Sequence, residues 1–131
     1  MSELVACSCD GGTLDRLIQP AILVVLAAGP LHGYRLVERI GEVPGLAGRK
    51  PDASGVYHML KAMERKGLVA SSWDVSESGP AKKSYHITPT GGQCLHRWIK
   101  TLENYRRGIS GLLGAARKAD LSQTRKGCCG E

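Results

Sequence analysis

The sequence predicts a mainly α domain with one small β-hairpin, and three observations predict it. Apolar residues recur at helical spacing in four separate segments. Two short strand-like runs, Leu68 to Trp73 and Ser84 to Ile87, flank a Ser-, Gly- and Pro-containing turn. The chain has 131 residues, 42% hydrophobic and 23% charged, which suits a single soluble domain with one modest core. That length excludes large enzyme architectures such as an eight-fold α/β barrel. The longest apolar run, Ala21 to Ala28, is far short of the roughly 20 residues that cross a bilayer. Glu3 and Asp10 stand where a secretory signal would be basic and then apolar. A cytoplasmic protein with no membrane partner is expected.

Residues 1–13 read as an irregular, cysteine-containing arm that ends at Gly11-Gly12. Leu14 to Ala28 reads as a helix, apolar on more sides than one neighbour covers, with Pro20 either kinking it or marking its start. Gly33 to Ile40 reads as a short helix with Tyr34, Val37 and Ile40 on one stripe, and Gly41 to Lys50 reads as a loop. Asp52 is a good N-cap for a helix over Ala53 to Lys66, with Val56, Leu60 and Met63 inward. Gly67, after basic Arg65-Lys66, is its stop. The hairpin follows and carries Lys82-Lys83. Thr88-Pro89, a cap with Pro at the first helical position, opens a long helix whose stripe runs from Leu95 through Trp98, Leu102 and Tyr105 to Leu113. Gly108, Gly111 and Gly114 either fray its second half or admit a close partner.

Helix, helix, loop, helix, hairpin, long helix is the order of a winged helix-turn-helix. The winged unit spans 14–88, a C-terminal helix 89–116, and a flexible cysteine-containing tail 117–131. In such a unit the second helix of the pair enters the major groove. Ser54, Gly55, Tyr57, His58, Lys61, Ala62 and Arg65 would then lie on its sides and outer face. The hairpin lysines would neutralise phosphates. Charge agrees with a polyanionic partner. The chain is +6 overall, −2 over residues 1–48, +3 over 49–86 and +6 over 97–126.

His32-Gly33-Tyr34, Ser54-Gly55-Val56-Tyr57 with Leu60 and Met63-Glu64, Lys66-Gly67-Leu68-Val69, and the hairpin Gly79 to Thr88 followed by Gly91 together resemble the PadR family of bacterial transcriptional regulators. The resemblance covers residues 14–107. It implies a homodimer in which each C-terminal helix packs on the partner's N-terminal helix. It also implies repression through inverted repeats in double-stranded DNA, relieved by a phenolic compound, drug or other effector. The family's DNA contacts map onto Ser54, Gly55, Tyr57 and His58, and onto Lys82 and Lys83 of the wing. Ser54-Gly55 stands where many members have Gly-Thr, and the wing lacks the Arg that often precedes its Pro.

Several residues carry two readings. Tyr57 either reaches DNA or packs between helix and wing. Lys61 faces phosphate or solvent. Lys82 and Lys83 alternate along a strand, so at most one points squarely at DNA. Trp98 either stacks on an aromatic effector or is plain interface core. Cys7, Cys9, Cys128 and Cys129 can supply four thiolates to a metal ion or sense oxidation, or lie in inert tails. Cys94 reads as a small buried hydrophobe. The four histidines show no metal spacing, and no sequence motif of a hydrolase or nucleotide-binding loop is present. Besides a DNA-binding regulator, the classes left open are a metal- or thiol-handling protein and a winged-helix protein-interaction module. No catalytic residues are assigned.

Overall fold

The computed structural model describes residues 17–43, 52–75 and 79–120. The expected arm at 1–13, the four terminal cysteines and most of the 41–50 loop lie outside the described residues.

Helix α1 (Ile18–Ala27) starts later than Leu14, and Pro20 sits in its first turn, where its missing N–H has no intrahelical partner to lose. Its sequence is apolar on nearly every side, and the fold uses nearly every side. Ile22, Leu23 and Leu26 are fully enclosed, and α1 packs on three helices and a strand. A two-residue strand, β1 (Leu31–His32), follows. The sequence reading had no place for it, because two residues carry no period. Leu31 and His32 pair with Tyr85 and Ser84, making a third strand beside the hairpin.

Helix α2 (Gly33–Ile40) buries Gly33, Leu36, Val37 and Ile40. Tyr34, expected inward, is half-exposed instead. Leu36-Val37 takes the central place on the stripe, because Gly33 rather than Tyr34 occupies the contact with the core. Helix α3 (Ala53–Arg65) follows the sequence closely. The Asp52 side chain accepts the Gly55 N–H at 3.2 Å, and Val56, Leu60 and Met63 are all 0% exposed. Each such burial contributes about 1.5–3 kcal/mol. Gly67, at φ +77°, ends the helix in the left-handed conformation that only glycine adopts cheaply.

Strands β2 (Val69–Asp74) and β3 (Lys82–Ile87) form the hairpin, and the antiparallel sheet runs β1-β3-β2. Val69 opposite Ile87, Ser71 opposite Tyr85 and Trp73 opposite Lys83 share one face. Val69 and Tyr85 bury that face against the core. Ala70, Ser72 and Asp74 with His86, Ser84 and Lys82 form the outer face.

Helix α4 (Pro89–Ala119) runs 31 residues without a break, about 46 Å at 1.5 Å per residue. It passes straight through Gly108, Gly111 and Gly114 and three residues beyond the expected end at 116. Its start is fixed to the end of α3. Thr88 Oγ1 donates to the Gly67 carbonyl at 2.6 Å and accepts the Gly91 N–H at 3.0 Å. Gly91 lies so close to Leu68 that a Cβ there would fall on the Leu68 carbonyl oxygen. Its first turns pack Cys94, Leu95 and Trp98 on the core, so Cys94 is half-buried as a small apolar filler. From Glu103 to Asp120 every residue is exposed.

Candidate nucleic-acid interface

Helix α3 divides cleanly. Val56, Leu60 and Met63 seal one face on the core, while Ser54, Tyr57, His58, Lys61 and Arg65 are exposed. Ser54, His58, Lys61 and Arg65 follow at i, i+4, i+7 and i+11, so they form one stripe along the outer face. Among the described residues, no carboxylate pairs with Lys61 or Arg65. Gly55 sits at the first turn, and among the described residues a Cβ there would meet only the Asp52 carboxylate at 3.9 Å.

Tyr57 leaves that stripe and turns toward α2. Its ring lies over Gly33, where an added Cβ would stand 2.7 Å from a ring carbon. The Gly33 that the sequence singled out within His32-Gly33-Tyr34 is thus the floor on which Tyr57 packs. The ring stays partly exposed beside a small 250 Å³ recess shared with Tyr34, Lys82 and Lys83.

The wing lysines point to opposite faces, as strand alternation requires. Lys83 turns toward α3, 3.9 Å from Glu64 Oε1 and 5.5 Å from the Tyr85 ring. The same Glu64 accepts the Ser71 hydroxyl at 2.6 Å. One carboxylate near the end of α3 thereby holds both wing strands. Lys82 is exposed on the other face, 5.6 Å over the Tyr34 ring. Lys82 and Asp74 are register partners, yet Asp74 pairs instead with His32 Nε2 at 2.7 Å. His32 also stacks parallel to Tyr34, with ring centres 5.8 Å apart. The start of α2 therefore holds the wing on both strands. Sequence reasoning missed Glu64 and Asp74 as wing anchors. Only the register shows which side chains meet across 42 residues.

Trp98 does not reach the interface. Its Nε1 donates to Gln19 Oε1 at 2.9 Å, and its ring packs on the core beside α1. Among the described residues, no group of histidines, cysteines and carboxylates is placed to hold a metal ion. No described helix is long and apolar enough to cross a membrane.

A helix with one sealed and one polar, cationic face, flanked by an anchored basic hairpin, is the reading apparatus of a winged helix. The model of the transcriptional regulator PadR-like family matches residues 22–97, from within α1 to the third turn of α4. The chain belongs to the PadR-like family of transcriptional regulators. Solved structures agree. A candidate transcriptional regulator of Thermoplasma acidophilum is similar at 35% identity and a TM-score of 0.68, over 77% of this chain and 94% of that one. A PadR-like transcriptional regulator from Bacillus cereus shares the fold at 22% identity and a TM-score of 0.64, over 78% and 96% of the two chains. Bacillus subtilis PadR, solved in complex with operator DNA, is 29% identical with a TM-score of 0.56, over 63% of this chain and 46% of that one. A comparison with curated proteins returned no match. The outer stripe of α3 and Lys82 of the wing are exposed.

Proposed function

We propose that this PadR-like chain binds double-stranded DNA sequence-specifically, as a homodimeric repressor released by an effector. The observation that carries the reading is the division of α3. Three core residues fix the helix, and the outer stripe of Ser54, His58, Lys61 and Arg65 is free to enter a major groove. Gly55 lets the backbone approach phosphate, and Lys82 supplies charge from the wing. Lys83 contributes chiefly by bracing the wing against Glu64. The Bacillus subtilis relative is solved in complex with operator DNA, which supports DNA as the partner.

The dimer is proposed from α4. Leu95, Trp98, Leu102, Tyr105, Ile109 and Leu112 alternate at spacings of three and four, the seam pattern of packed helices. Trp98 and Leu95 cover the chain's own core, whereas Ile109 and Leu112 are 65% and 70% exposed. A second copy covers them. Effector control would act through these helices, since moving them changes the spacing of the two α3 stripes. The reading needs no catalytic group.

The test is fluorescence anisotropy with DNA from upstream of the chain's own gene, against a scrambled duplex, at two salt concentrations. A preference that survives the higher salt is expected. Equal, salt-labile binding to both duplexes would reduce the interface to non-specific charge.

A further inference from the structure

The α3-side face of the wing runs outward from the core through three cross-strand pairs. Val69 and Ile87 come first, Ser71 and Tyr85 next, Trp73 and Lys83 last. Burial fades along it: Val69 and Tyr85 are buried, while Trp73 is 63% exposed. Trp73 is the most exposed aromatic ring among the described residues. It has no place in the core and was not singled out by the sequence. Tryptophan is enriched where a surface meets a partner, because its ring offers a large apolar area and its N–H a polar tip.

Its position says what covers it. Its cross-strand partner Lys83 and its strand neighbour Ser71 both contact Glu64, in the last turn of α3. Trp73 therefore continues the surface made by the α3 stripe, on a wing that carries Lys82 and Lys83. When α3 lies in a major groove, a flanking hairpin reaches the adjacent minor groove, which is about 6 Å wide. Apolar side chains laid into that groove contact sugars and base edges without using charge.

We infer that Trp73 is a DNA-contacting residue of the wing, placed in the minor groove beside the major groove that α3 reads. This rests on the DNA-binding reading above. Lys82 tethers the wing electrostatically, and its contribution fades with salt. The indole adds affinity that does not.

The chain has two tryptophans, and Trp98 is held on the core by Gln19, so Trp73 is its own reporter. The probe is a duplex enriched from a random-sequence library by the wild-type chain. Adding it is expected to quench and shift the wild-type emission and to protect it from acrylamide. Trp73→Phe abolishes that change, although Trp98 remains. Trp73→Ala weakens binding about tenfold, in the range of a lost base–aromatic contact, with the salt slope unchanged. Lys82→Ala instead flattens the slope by about 0.9. The residue is exposed, so melting of the variants should match wild type. Binding by Trp73→Ala equal to wild type, or an emission change that persists in Trp73→Phe, overturns the inference. So does shielding of Trp73 by rising protein concentration without DNA, which would give the ring to a contact between copies. Failure of the wild-type chain to enrich any sequence overturns the DNA reading itself, and this inference with it.

Discussion

Gly91 and Gly33 show how one missing Cβ can fix a junction. At Gly91, alanine would favour the helix by about 1 kcal/mol on propensity alone. The clash with the Leu68 carbonyl reverses the sign, because backbone cannot rotate away as a side-chain tip can. Gly91→Ala is expected to destabilise by about 2 kcal/mol or more, read as a lowered urea midpoint. Thr88→Val removes the cap on Gly91 and the hydroxyl bonded to Gly67, for a loss of about 1–2 kcal/mol. The two effects should not add, since both loosen one contact. Gly33 differs because its neighbour is a ring. Gly33→Ala displaces Tyr57 and is expected to be rescued largely by Tyr57→Ala in a double-mutant cycle of thermal melting. A cycle without coupling would refute the packing role given to Tyr57.

At the scale of elements, α3 and α4 are both amphipathic, and the partners proposed for them differ, DNA for α3 and a second copy for α4. Lys61→Ala should leave melting unchanged within about 0.5 kcal/mol, as surface changes do. It should weaken DNA binding and reduce the salt slope by about 0.9. An unchanged slope would place Lys61 in solvent. Among the described residues, nothing covers the distal half of α4, and an isolated helix of that length is marginal in water. Ile109→Asp with Leu112→Asp is therefore expected to give monomers in sedimentation and to lose helical ellipticity in proportion to the uncovered turns. The winged domain should still melt cooperatively. Dimers that persist would move the interface elsewhere. The three open glycines, 108, 111 and 114, have nothing within 4 Å, so they leave room for a close helix.

For the whole molecule, the proposed dimer links dimerisation to DNA binding. Two copies present two α3 stripes, so DNA binding favours the dimer and the dimer favours DNA by the same factor. Dilution should weaken DNA binding more steeply than a one-to-one isotherm allows. The double aspartate variant should bind a half-site as wild type does but lose the gain from a second half-site. Retention of that gain in a monomer would break the link.

The element order was legible because period, caps and stops agree with one another. Asp52, Gly67 and Thr88 act as the sequence says they should, since a cap is a contact between neighbours in the chain. The inward residues of α3 were legible for the same reason: a helix repeats on a scale the sequence can show. The pattern also marked α1 as apolar all round and α4 as carrying a long apolar stripe. Tertiary structure decided the rest. Tyr34 left its stripe for Lys82, β1 joined the sheet, Trp98 turned to Gln19, and Lys83 turned to Glu64. Each of these is a meeting of residues far apart in the chain. Strand register and helix packing choose such meetings, and no local pattern encodes them. Periodicity and capping, being local, set the elements and the outer stripe of α3, whereas the packing of those elements decided that Lys83 braces the wing on Glu64 and Lys82 lies over Tyr34.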